Sequence, residues 1–145
     1  MILTRRVVML APIALAACGA AQARTIEVVK TPTCGCCHLW VEHLRAEGFE
    51  VNAVDVEDVT PVARRLGVPD QLRSCHTGEI GGYAVEGHVP AADIRRLLAE
   101  RPDAAGIAVP GMPLGSPGME QGSMRQSYQT LLFTRDGRIS VFASH

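Results

Sequence analysis

TIEVVKTPTCGCCHLWVEHLRAEG, residues 25–48, is the stretch whose reading decides the fold. Thr25 to Thr31 places Ile26, Val28 and Val29 in a short β-branched run, the pattern of a buried strand, and Pro32 ends it. Trp40, Val41 and Leu44 then recur at helical spacing, with Cys37 one turn before Trp40 and Gly48 where a C-terminal cap belongs. Thr33-Cys34-Gly35-Cys36-Cys37-His38 therefore sits in a strand-to-helix turn and runs into the first turn of the helix. A thiol in that place is shifted towards thiolate by the helix dipole and the free N–H groups, which favours disulfide exchange and metal binding alike.

Downstream, Phe49 to Val56 reads as a second strand, and Thr60-Pro61 starts a helix, with Thr60 as N-cap and Pro61 in the first position, that runs through Leu66 to Gly67. Two strands joined by a helix imply a crossover and a parallel pair. Ser74-Cys75-His76-Thr77 opens a third strand, which the turn Gly81-Gly82 joins to a fourth through Tyr83 and Val85 to Gly87-His88. Val89-Pro90 leads into a helix with Ile94, Leu97 and Leu98 on one face, stopping before Pro102. From Ala104 to Gly122 the chain is Gly- and Pro-rich and reads as a loop, in which Pro110-Gly111-Met112-Pro113 is echoed by Ser116-Pro117-Gly118-Met119. Gln129 to Thr134 and Arg138 to Phe142 flank Arg135-Asp136-Gly137 as a terminal hairpin that extends the sheet.

The order β-α-β-α-β-β-α is a thioredoxin-like α/β topology, here with a Gly/Pro/Met-rich loop and an additional C-terminal β-hairpin. An alternative assignment makes the terminal hairpin the fold's own last pair and the earlier one an insertion. In thioredoxins the reactive cysteines occupy the turn after the first strand, and the segment opening the third strand meets that turn. Here that segment is Cys75-His76-Thr77, so a fourth thiol is expected to face the first three.

At 145 residues the chain has room for one domain with a real apolar core. Thr4-Arg5-Arg6 followed by the apolar run Val7 to Ala17 reads as an export signal, too short for a membrane span. Ala21-Gln22-Ala23 fits ordinary cleavage before Arg24, whereas Leu15-Ala16-Ala17-Cys18 resembles a lipobox that would lipidate Cys18. The preferred division is residues 1–23 as a cleaved export signal and 24–145 as the mature, exported and soluble domain, without a membrane span. Loss of Arg5 and Arg6 takes the net charge from −1 to −3, which offers no electrostatic footprint for nucleic acid or an anionic membrane.

Four cysteines then remain, Cys34, Cys36, Cys37 and Cys75. Two structural disulfides are the bland reading for an exported chain. Neighbours at 36 and 37 can hardly pair, and 34 with 36 is little better, so the cluster suits chemistry more than stapling. Cys34 and Cys37 form a C-x-x-C pair, which makes a thiol–disulfide oxidoreductase, or a copper-coupled redox protein, the alternative reading. A third thiolate at Cys36 would compete for each mixed disulfide. Metal binding uses every thiol: thiolates and thioethers select Cu(I), whereas four thiolates alone also take Zn(II) or an iron–sulfur cluster. Met112 and Met119, in a loop able to fold over the site, favour Cu(I), and three close cysteines with a distant fourth favour thiolates bridging several ions. His88 is a candidate ligand set against a capping or surface role, and the methionines against plain packing. His38 lies close enough to tune the thiols, His43 is expected to face solvent, Trp40 and Tyr83 are expected in the core, and Asp55, Glu57 and Asp58 read as a solvated strand end.

Cys34-Gly35-Cys36-Cys37, Ser74-Cys75-His76-Thr77, Gly81-Gly82-Tyr83, Glu86-Gly87-His88-Val89-Pro90, and Pro110-Gly111-Met112-Pro113 with Gly115-Ser116-Pro117-Gly118-Met119 stand in the order found in CopG-like proteins, which the chain resembles from Thr25 to about Phe142. The resemblance implies a thioredoxin-like periplasmic protein that holds a multinuclear copper–thiolate cluster for copper resistance, alongside efflux and other copper-handling partners. It implies Cys34, Cys36, Cys37 and Cys75 as cluster ligands, with His88, Met112 and Met119 in motif positions.

Overall fold

The computed structural model describes residues 25–145, so the expected export signal, the expected lipobox at Cys18 and Arg24 lie outside the described residues. The described residues form a mixed α/β fold of seven strands and three α-helices. The order is β1 (Thr25–Lys30), α1 (Gly35–Ala46), β2 (Glu50–Asp55), α2 (Thr60–Arg65), β3 (His76–Ile80), β4 (Tyr83–Gly87), α3 (Ala91–Glu100), β5 (Gly106–Val109), β6 (Gln129–Phe133) and β7 (Ile139–Ser144). One 3-10 turn, Asp70–Leu72, follows α2.

All seven strands join in one sheet in the order β2-β1-β3-β4-β5-β6-β7. β1 pairs parallel with β2 and antiparallel with β3, as a crossover through α1 followed by a return strand requires. β3 and β4 form the expected hairpin, with Ile80 opposite Tyr83. Its two-residue turn needs positive φ at both central positions, and Gly81 (57°) and Gly82 (87°) supply it.

β4 and β5 run parallel, joined through α3. The segment from Ala104 is therefore not loop throughout: Gly106–Val109 is a fully buried strand, and the loop proper begins at Pro110. The terminal hairpin does extend the sheet, with β6 antiparallel to β5.

Alternation along the central strands divides the core between the two faces. Val85 and Ile107 turn towards Trp40, Val41 and Leu44 of α1 and Ile94 and Leu97 of α3, while Ala84 and Ala108 pack with Ala63, Leu66, Leu72 and Phe133. Trp40 and Tyr83 are buried, as their spacing suggests. Trp40 donates its indole N–H to the Val89 carbonyl (2.9 Å), which ties α1 to the entry of α3.

Two local expectations change. Thr60 lies inside α2, and the side chain accepting its backbone N–H is Asp58 (2.8 Å), so one carboxylate of the acidic run has a capping task. His43 does not simply face solvent: it is half-buried, and its Nε2 accepts the Ala91 N–H at the start of α3 (3.3 Å).

Candidate metal centre

Cys34 is the N-cap of α1, and its sulfur accepts the Cys37 N–H (3.3 Å). No acidic side chain lies in the first turn, so negative charge on sulfur meets the positive end of the helix unopposed. Cys36 projects half-buried from that turn, while Cys37 points inward and is fully buried. Cys75 arrives from the segment before β3, where its carbonyl accepts the Thr31 N–H (3.2 Å) and locks the two turns together.

All four sulfurs lie within 4.8 Å of one another. Cys75 Sγ is 3.1 Å from Cys34 Sγ and 3.3 Å from Cys37 Sγ, and Cys36 Sγ is 3.4 Å from Cys34 Sγ. The expected meeting of a fourth thiol with the first three is thus realised. Cys34 and Cys37 are joined as a disulfide, with Cys36 and Cys75 free. Burial pushes the Cys75 thiol pKa up, and charge on Cys36 adds to that, so a proton or a cation belongs on Cys75.

Glu86 on β4 shapes the Cys75 segment from beneath. Buried, it accepts the Ser74 N–H (2.5 Å) and the Thr77 hydroxyl (2.7 Å), with Ser74 Oγ at 2.8 Å. Burial raises its carboxyl pKa, an effect the three donors oppose.

Two histidines line the inner side. His76, 0% exposed, sets Nδ1 3.2 Å from Cys37 Sγ and Nε2 2.9 Å from the Gly87 carbonyl. Its ring lies 4.5 Å from that of Trp40 and 5.1 Å, edge to face, from that of His88. Burial, then the nearby His88, lowers its pKa to about 3, so the ring is neutral at ordinary pH.

His88 is neither a surface residue nor a helix cap but fully buried. Its Nδ1 donates to the Pro117 carbonyl (2.7 Å), leaving Nε2 as a buried lone pair without a hydrogen-bond partner. It stands behind His76 and outside the group of four sulfurs.

The methionine loop crosses the first turn of α1 at Gly118. A Cβ there would come 2.8 Å from Trp40 N and 2.9 Å from Cys36 O, and its φ of 84° also suits only glycine. Met119 follows that contact and is partly buried. Met112, by contrast, is 46% exposed, and Met124 is exposed as well. The loop thus lies over the cysteine turn at Gly118, with the Met112 side chain turned towards solvent.

His76 and Glu86 stand within the motif blocks, where the sequence alone gives neither a task. The available signal was their position, His76 beside Cys75 and Glu86 two residues before His88.

A family model described as "Protein of unknown function, DUF411" matches residues 72–119. Two solved structures, "Copper resistance protein copG- Form 1" and "Form 2", are each 52% identical with a TM-score of 0.79. Both cover 83% of this chain, which in turn covers 96% and 97% of theirs. No curated protein matches the chain. Among the described residues no helix is long and apolar enough to cross a membrane.

Proposed function

The chain belongs to the CopG copper-resistance protein family, and on that premise we propose that it binds Cu(I) through a multinuclear thiolate cluster in copper resistance or homeostasis. The observation that carries this reading is the convergence of four sulfurs within 4.8 Å from two separate segments. Copper here is cargo. Cys34, Cys36, Cys37 and Cys75 hold it once an external dithiol has reduced the Cys34–Cys37 bond and been oxidised in its place, because a sulfur in a disulfide is no longer a thiolate ligand.

Binding displaces the proton that burial keeps on Cys75, so uptake releases protons and weakens in acid. His88, with its unpartnered buried Nε2, and the loop methionines Met119 and Met112 are secondary donors, Met112 requiring a turn of its side chain out of solvent. The strand order β2-β1-β3-β4, with cysteines in the turn after β1, supports a thioredoxin-like classification of the domain. Residues 1–23 as an export signal, residues 24–145 as the periplasmic domain and copper-handling or efflux proteins as partners complete the proposal.

An anaerobic Cu(I) titration of the reduced chain tests it. More than one copper per chain is expected, with a lower ratio in Cys36→Ser. No uptake, or a ratio that Cys36→Ser leaves unchanged, would sink the cluster.

The Cys34–Cys37 disulfide favours a second reading, a thiol–disulfide oxidoreductase, since that bond joins the C-x-x-C pair at a helix N-terminus. It requires Cys36→Ser to retain turnover in an insulin-reduction assay and Cys34→Ser to abolish it.

A further inference from the structure

His76 is fixed on three sides before any ion is considered. Its Nε2 lies 2.9 Å from the Gly87 carbonyl, an oxygen that can only accept, so Nε2 carries the ring proton. Nδ1 of the neutral ring is then a lone pair, and it points at Cys37 Sγ from 3.2 Å. The Trp40 ring at 4.5 Å and the His88 ring at 5.1 Å hold the imidazole plane, and no part of the residue reaches solvent.

That contact is incomplete as it stands. Cys37 is in a disulfide and has no hydrogen, so two electron-rich atoms face each other in the interior. Two-electron reduction of that bond by an external dithiol would leave a Cys37 thiol whose proton lies between them, and copper uptake by the thiolate so formed would place a cation there. Imidazole nitrogen is a good ligand for copper, and a histidine that binds metal commonly donates its other N–H to a backbone carbonyl, as His76 does to Gly87. Bond lengths of about 2.0–2.1 Å to nitrogen and about 2.3 Å to sulfur, taken from zinc, let one ion reach both atoms across this gap at a bent angle.

We propose that His76 is a further copper ligand, its Nδ1 binding the ion held by the Cys37 thiolate on the buried side of the cluster. The assignment rests on the reading of the four sulfurs as a copper site. It gives that site an inner nitrogen donor where Cys36 and Cys75 supply the outer sulfurs, and it makes Gly87 and Trp40 positioning groups for the donor.

The test uses the wild-type chain, so no variant has to fold. Protein labelled with 15N in histidine is reduced and titrated anaerobically with Cu(I), while bound copper and the histidine ring nitrogens are followed together, the latter by long-range 1H–15N correlation. The expected result is copper uptake with the His76 Nδ1 resonance leaving the position of an unprotonated ring nitrogen for that of a metal-bound one, while Nε2–H is retained. Uptake with Nδ1 unmoved at saturation overturns the His76 assignment and leaves the cluster standing. Absence of uptake overturns both.

Discussion

Gly118 couples the methionine loop to the cysteine turn at the scale of a single atom. A methyl group there would collide with the backbone of Cys36 and Trp40 at a φ of 84°. Gly118→Ala is therefore expected to cost about 1–3 kcal/mol in urea unfolding and to weaken copper retention in a chelator competition. Unchanged retention would separate the loop from the site. The cysteines were legible from sequence because thiol chemistry is local and their spacing excludes most pairings. His76 and Glu86 were not, because their tasks depend on neighbours distant in sequence: Gly87 for one, Ser74 and Thr77 for the other. His88 was legible as a candidate, but a residue just before a helix gives no local sign of complete burial.

Among the elements, α1 and its N-cap carry three of the four cysteines, and the helix is braced to α3 by His43. Its Nε2 accepts the Ala91 N–H, and burial holds its pKa below the ordinary 6.5, against the pull of Glu47 and Glu120 and with that of Arg95. A base with a lowered folded pKa stabilises the fold above its unfolded value and loses that contribution as pH falls through the folded one. Stability of the metal-free protein should decline below pH 6.5, and His43→Gln, which keeps an acceptor, should make that decline shallower in denaturant titrations across pH. An identical slope would remove His43 as a contributor. Helices α1 and α3 were readable from periodicity, whereas β5 was missed because four residues in a Pro- and Gly-rich stretch show no period of their own. Gly106–Val109 becomes a strand by pairing with β4 on one side and β6 on the other.

Taken whole, the sheet sets the site at one end of its central strands and relies on the terminal hairpin to close the opposite core. Phe133 of β6 is 0% exposed and packs with Ala63, Leu66 and Leu72. Phe133→Ala should cost about 3–5 kcal/mol by urea unfolding, since a buried aromatic leaves a cavity the sheet cannot collapse. A loss within ~1 kcal/mol would mean that the hairpin is an accessory to the core rather than part of it. The mixed α/β class followed from pattern, and the convergence of Cys75 on the other three cysteines from the likeness of the element order to thioredoxins. The state of the sulfurs did not, since oxidation is a property of the assembled site. If these four sulfurs share several copper ions, native mass spectrometry of the reduced chain during Cu(I) addition will show several ions entering together, without accumulation of a one-copper species; a chain that stays metal-free, or that stops at a single copper, would show that they do not.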